Sequence, residues 1–214
     1  MRFVSRMLLV LVFMALLPGA AAKPRKHTVF LGQWHTIKTP SDSGKAGQLR
    51  VRQLWIDETL KEYTSGSVHS ITDRIFVIRR ASRVNDALPE NKDRKPRWIW
   101  RLGGWISVDR STGHVAQLTL PVFDAETSEA SWYRDYAAYC GASEDGSQTY
   151  LVIWQLGKKK PLLRKEFPGA GCPAPLWERS PSRVTFLTGE GKNTFVVDAL
   201  REEPAEMHEG DVPR

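Results

Sequence analysis

The residues able to do acid–base chemistry lie in one central stretch of the chain. Asp109, His114, Asp124, Glu126 and Asp135 fall at turn and loop positions between apolar runs, where a rigid sheet commonly carries its catalytic groups. Paired carboxylates with an imidazole suit a small hydrolase, one group accepting a proton while another donates it. The spacing alone does not join them, and no nucleophile elbow, metal-binding helix or phosphate loop accompanies them. Asp109 has a ready structural use inside its own turn, and Asp124 and Glu126 can simply solvate a loop.

A second set is aromatic and basic. Arg94 to Trp105 reads RKPRWIWRLGGW, and on a strand Trp98 and Trp100 share one face while Ile99 and Arg101 share the other. Exposed, such tryptophans beside Arg101 stack on sugar rings or grip a polyanion. Buried, they fill a core and leave the arginines in water, the simpler use in a domain that must bury its large residues. The cluster Trp132-Tyr133-Arg134-Asp135-Tyr136 poses the same choice: Tyr133 and Asp135 line a ligand groove, or they form a core corner in which a cation pairs with Asp135.

The remaining reactive side chains point to scaffolding. Cys140 and Cys172 are the two cysteines, and a disulfide between them is expected in an oxidising compartment, contributing roughly 3 to 4 kcal/mol in the chain-entropy account. The histidines at 27, 35, 69, 114 and 208 show no paired ligand spacing, so no metal and no cofactor is expected.

The elements that must position these groups are short strands. Thr28 to Lys38, Leu49 to Ile56, Thr59 to Thr64, Arg74 to Arg80, His114 to Leu120, Thr149 to Leu156, Leu162 to Phe167, Arg183 to Thr188 and Thr194 to Leu200 carry strand patterning. Turn signals separate them: Asp57-Glu58, the Asp109 to Gly113 turn with Gly113 at positive φ, and Asp145-Gly146. Gly103-Gly104 predicts a tight bend or bulge within Arg97 to Asp109. Residues 128–134 read as a helical turn, with Ser128 as its cap, passing into a strand. Ser82 to Pro96, polar and proline-bearing, reads as a long loop and an internal seam. The expected class is all-β, predominantly antiparallel and hairpin-rich, as a sandwich, barrel or propeller-like set of sheets with at most a short helix near 128–136.

Val108-Asp109-Arg110-Ser111-Thr112-Gly113-His114-Val115 resembles the Asp-x-x-Thr-Gly turn between strands of quinoprotein-type propeller blades, and Ala137 to Leu156 is similar to the strand, Asp-Gly turn, strand rhythm of such blades. The resemblance implies meander sheets. No strict repeat period accompanies it, and no cofactor or catalytic residue is carried over from it.

The N-terminus predicts the compartment. Arg2 and Arg6 precede an apolar run from Met7 to Leu17, then Pro18-Gly19 and Ala20-Ala21-Ala22; this is the layout of a secretory signal over residues 1–22. The run is shorter than the about 20 residues that span a bilayer, so no transmembrane anchor is expected after cleavage. Removing it takes two arginines and no acid, so the formal charge of +7 becomes +5. That is modest, the basic clusters at Lys23 to Lys26, Arg94 to Arg97 and Lys158 to Lys160 sit at termini and turns, and no nucleic-acid partner is expected. Residues 23–200 then form one exported β-rich domain, and the acidic 201–214 reads as a disordered tail. The expected role is a secreted or periplasmic, non-catalytic module that binds an envelope protein or glycan. The alternative is a small secreted hydrolase built on Asp109, His114, Asp124 and Glu126.

Overall fold

The computed structural model describes residues 27–39, 47–87, 96–169 and 171–202. The expected signal segment 1–22, the 88–95 part of the expected loop, and 203–214 of the expected tail lie outside them. The described chain is all-β with antiparallel sheets.

Its first sheet contains β1 (Val29–Leu31), β2 (His35–Thr39), β3 (Gly47–Ile56), β4 (Thr59–Ser70), β5 (Ile75–Asn85), β6 (Trp98–Asp109) and β7 (Val115–Leu118). The order is β1-β3-β4-β5-β6-β7, with β2 also on β3. β1 and β2 share one edge of β3, facing Leu54 to Ile56 and Gly47 to Val51 respectively. The β3–β4 hairpin turns at Asp57 and Glu58, whose φ values of 49° and 62° are the pair of left-handed conformations that a two-residue type I′ turn demands. Asp57 helps to hold that turn, because its carboxylate accepts from the Thr28 N–H at 3.0 Å and meets His27 Nδ1 at 2.7 Å.

The Gly103-Gly104 pair forms a bulge opposite Arg80, so Trp98 to Asp109 is one long bent strand rather than two. β5 also reaches Asn85, beyond the expected end at Arg80, and pairs there with Trp98. β7 covers only Trp105 to Val108 of β6. The first half of β6 therefore has no ladder partner on that side among the described residues.

A second sheet, β11-β10-β9-β8, follows: β8 (Ser131–Tyr133), β9 (Tyr136–Ala142), β10 (Thr149–Gln155) and β11 (Leu163–Phe167). A third, β12-β13-β14, comprises β12 (Leu176–Arg179), β13 (Ser182–Thr188) and β14 (Gly191–Val196). The three sheets stack in chain order. Ala137, Tyr139, Val152 and Trp154 of the middle sheet pack with Val77 and Trp105 of the first. The alternate residues Ala138, Cys140, Leu151 and Ile153 pack with Val184 and Phe186 of the third. This double burial explains why β9 and β10 read as unbroken apolar runs, since neither face needs polar residues. Small faces large across the ladder, Ala137 opposite Trp154 and Ala138 opposite Ile153, which lets the layers interdigitate. A third cluster, with Leu54, Ile56, Phe76, Ile78, Ile106 and Val108, lines the far face of the first sheet.

The strands β3 to β7, β8 to β11 and β12 to β14 each run as a meander, with β1 and β2 both added to β3. The Cys140–Cys172 disulfide ties the middle sheet to the segment leading into β12, closing a separation of 32 residues.

Two local expectations are corrected. Residues 128–134 are not helical; they comprise an extended lead-in, β8 and the start of a turn. Ser128 is buried, and its hydroxyl donates to the Cys140 carbonyl at 2.7 Å while its oxygen accepts from the Asp124 N–H at 3.2 Å, so it fastens a loop to β9 instead of capping a helix. The helical spacing of Trp132, Tyr136 and Tyr139 came from two strands separated by the Arg134-Asp135 turn, with Arg134 at φ 50°. The strand expected over Thr194 to Leu200 stops at Val196, and Val197–Glu202 forms α1. α1 carries residues 201 and 202, which the sequence had assigned to the tail. No helix among the described residues is long and apolar enough to cross a membrane.

Candidate functional site

The five acid–base residues occupy three places. Asp109 and His114 share the β6–β7 turn, where the Asp109 N–H donates to the His114 carbonyl at 2.9 Å. Arg74 grips the Asp109 carboxylate through both Nε, at 2.8 Å, and Nη2, while the Ser111 N–H donates at 2.8 Å. The Arg74 bonds, with that amide behind them, hold Asp109 well below the usual carboxylate range. Asp124 closes its own loop, accepting from Thr127 Oγ1 at 2.6 Å and the Glu126 N–H at 2.9 Å, and its pKa is lowered by the same bonds. Glu126 pairs with Arg101. Asp135 accepts from Gln155 Nε2 at 2.8 Å, and its carbonyl accepts from the Leu156 N–H, also at 2.8 Å. The core corner expected here thus uses an amide partner on Asp135 rather than a cation. No hydrogen bond or ion pair among the described residues links the Asp109–His114 turn to the Asp124–Glu126 loop.

Tyr133 stacks on Trp177 with ring centres 5.4 Å apart, and Trp177 Nε1 donates to the Ser131 carbonyl at 3.1 Å. Tyr133 therefore joins the edge of the middle sheet to the third. Among the described residues no three His, Cys, Asp or Glu side chains converge to hold a metal ion.

The first half of β6 is different. Trp98 is 54% exposed, and the Arg83 guanidinium lies 5.7 Å from its ring centre. Trp100, on the same side of the strand, meets Tyr63 edge-on at 4.9 Å, above the small buried Ala81 of the intervening strand. These four share one face by register, since Trp100 pairs with Arg83, Trp98 with Asn85, and Ala81 with both Tyr63 and Leu102. The far half of that face, with Val77 and Trp105, is covered by the middle sheet. An open cleft of about 430 Å³ runs along the unpaired side of β6, lined by Leu49, Asp86, Arg97, Trp100, Arg101 and Glu126 among others. Arg101 reaches both Glu126 and Asp86, the latter at 3.5 Å, and Arg97 reaches Asp86 at 3.5 Å. Flat aromatic surface and fixed donors and acceptors are therefore adjacent.

Of the residues singled out in the sequence, Trp98, Trp100 and Arg101 lie on the same half of β6, and Tyr133 and Asp135 sit elsewhere, against Trp177 and Gln155. Sequence reasoning missed Tyr63 and Arg83, which reach the site from β4 and β5 through sheet register. Searches of protein-family models, curated proteins and solved structures found no match to the chain.

Proposed function

We propose that the protein is an extracytoplasmic, non-catalytic binding module that holds an envelope glycan against the first half of β6. The observation that carries this reading is the exposure of Trp98 in a chain that buries Trp105 and Trp154. Leaving a bulky apolar side chain in water forgoes on the order of 2 kcal/mol of burial, and a sugar ring stacked on its face recovers that term. Trp100 and Tyr63 extend the aromatic surface, and Asp86, Arg97, Arg101 and Glu126 offer hydroxyl partners in the cleft beside it. The Cys140–Cys172 disulfide accords with an oxidising compartment, and the N-terminal pattern of residues 1–22 accords with export.

Calorimetric titration of the mature chain with soluble peptidoglycan fragments and neutral oligosaccharides tests the proposal. Binding by wild type that drops at least tenfold in Trp98→Ala, with unchanged thermal unfolding, supports it. Equal affinity in the variant removes Trp98 from the site and the reading with it.

A further inference from the structure

The opposite side of the first sheet holds a second constellation. Thr64 pairs with both Arg52 and Arg80, whereas Trp98 pairs with Asn85, so Arg52 and Trp98 project to opposite faces. Along β3, Arg50 and Arg52 alternate with Leu49 and Val51 and project together. The β2–β3 register places His35 against Val51 and Thr36 against Arg50, which brings the preceding residue, Trp34, beside Arg52. The Arg52 guanidinium carbon lies 4.2 Å from the Trp34 ring centre, and that of Arg50 lies 5.0 Å away. Trp34 is 38% exposed.

One aromatic ring thus gathers two like charges. Among the described residues no carboxylate lies within ion-pairing distance of either arginine; the nearby Glu62 is bonded to Arg80 at 2.9 Å. The neighbours on β4 do not engage the guanidiniums, because Thr64 and Ser65 donate their hydroxyls to the Arg52 and Arg50 carbonyls at 3.2 and 2.8 Å. Arg52 Nε is buried with no acceptor among the described residues. Stacking on Trp34 restricts both forks, and the exposed hydroxyl-bearing Thr36 pairs beside Arg50. Two uncompensated cations held at one ring repel each other until an anion sits between them. Guanidinium forks match tetrahedral oxyanions through paired N–H bonds, a geometry lysines do not offer.

We propose that Trp34, Arg50 and Arg52 form a binding site for a phosphate- or sulfate-class oxyanion, either free in solution or carried on an anionic glycan. The site is independent of the Trp98 surface. Full-length mature protein is titrated with inorganic phosphate, inorganic sulfate, heparin tetrasaccharide and uncharged maltotetraose, following heat and tryptophan fluorescence. Binding of at least one anionic probe, with none by maltotetraose at this face, weakens at least tenfold in the Arg50→Gln/Arg52→Gln variant and falls as sodium chloride is raised. Arg50→Lys/Arg52→Lys, which keeps the charge, remains weaker than wild type because the forks are lost. Response to the inorganic ions assigns the site to a free oxyanion, and response to heparin alone assigns it to the glycan-borne group. The proposal is overturned if the Gln variant, folded by circular dichroism, binds as wild type does, or if no anionic probe binds. Trp98→Ala leaves this binding unchanged, so the two sites fail separately.

Discussion

The middle sheet and the open half of the first sheet are built from similar apolar and aromatic residues but put them to opposite uses. In the middle sheet both faces are covered, and Tyr139, Leu151, Val152 and Ile153 are fully buried. Tyr139 still satisfies its hydroxyl by donating to the Pro121 carbonyl at 2.7 Å, and burial pushes its phenol well above the usual tyrosine value. In the open half of the first sheet, Trp98, Leu60 and Phe30 remain exposed, and the Arg83 guanidinium lies near the Trp98 ring. A sheet with neighbours on both sides spends its side chains on packing; one with a bare face has them available for ligands.

This contrast can be broken first in the middle layer. Ile153→Ala should destabilise the fold by about 4 kcal/mol, the transfer term plus a cavity between two layers that collapse only in part; chemical denaturation measures it. Reducing the Cys140–Cys172 bond should remove about 3 to 4 kcal/mol and lower the melting temperature by about 10 °C in a scan with and without reductant. Gly141→Ala should cost about 1 to 3 kcal/mol by overpacking, because an added Cβ would stand 2.4 Å from the Val122 carbonyl oxygen. Trp98→Ala should change stability by less than about 0.5 kcal/mol. A Trp98→Ala effect as large as that of Ile153→Ala would erase the distinction between the regions.

The finest comparison uses two turns. Asp145, between β9 and β10, is lowered to about 2 by the Ser143 hydroxyl and the Ser147 N–H and hydroxyl; Asp109, at the end of β6, is lowered by Arg74. Each folded pKa lies below the unfolded carboxylate value of about 3.9, so the stabilisation is present above about pH 4 and lost as pH falls toward 2. Urea midpoints across that window should decline less steeply in Asp145→Asn and in Asp109→Asn than in wild type. An unchanged acid slope in both would show that these bonds do not persist in solution.

Much of the fold was legible because hairpin signals are local. Asp57-Glu58, Asp109 to Gly113 and Asp145-Gly146 each turned where the sequence signalled a turn, and the alternation of Leu49, Val51 and the intervening arginines marked β3 correctly. Trp132, Tyr136 and Tyr139 misled because three residues spaced for one helical face are also compatible with two short strands around a turn. The candidate site was half legible: RKPRWIWRLGGW named Trp98, Trp100 and Arg101, but Tyr63 and Arg83, which meet them only through sheet register, carry no local sign of that placement.

By itself the sequence determined the all-β class, most hairpins and which cysteines could pair, because φ preferences, period-two alternation and residue counts act over a few neighbours. The tertiary structure alone decided which tryptophans are core and which are surface. Trp98 and Trp105 belong to one strand and, across its bulge, project to the same side, yet the middle sheet covers one and leaves the other in water. Coverage depends on where a distant sheet ends, and no local pattern encodes that.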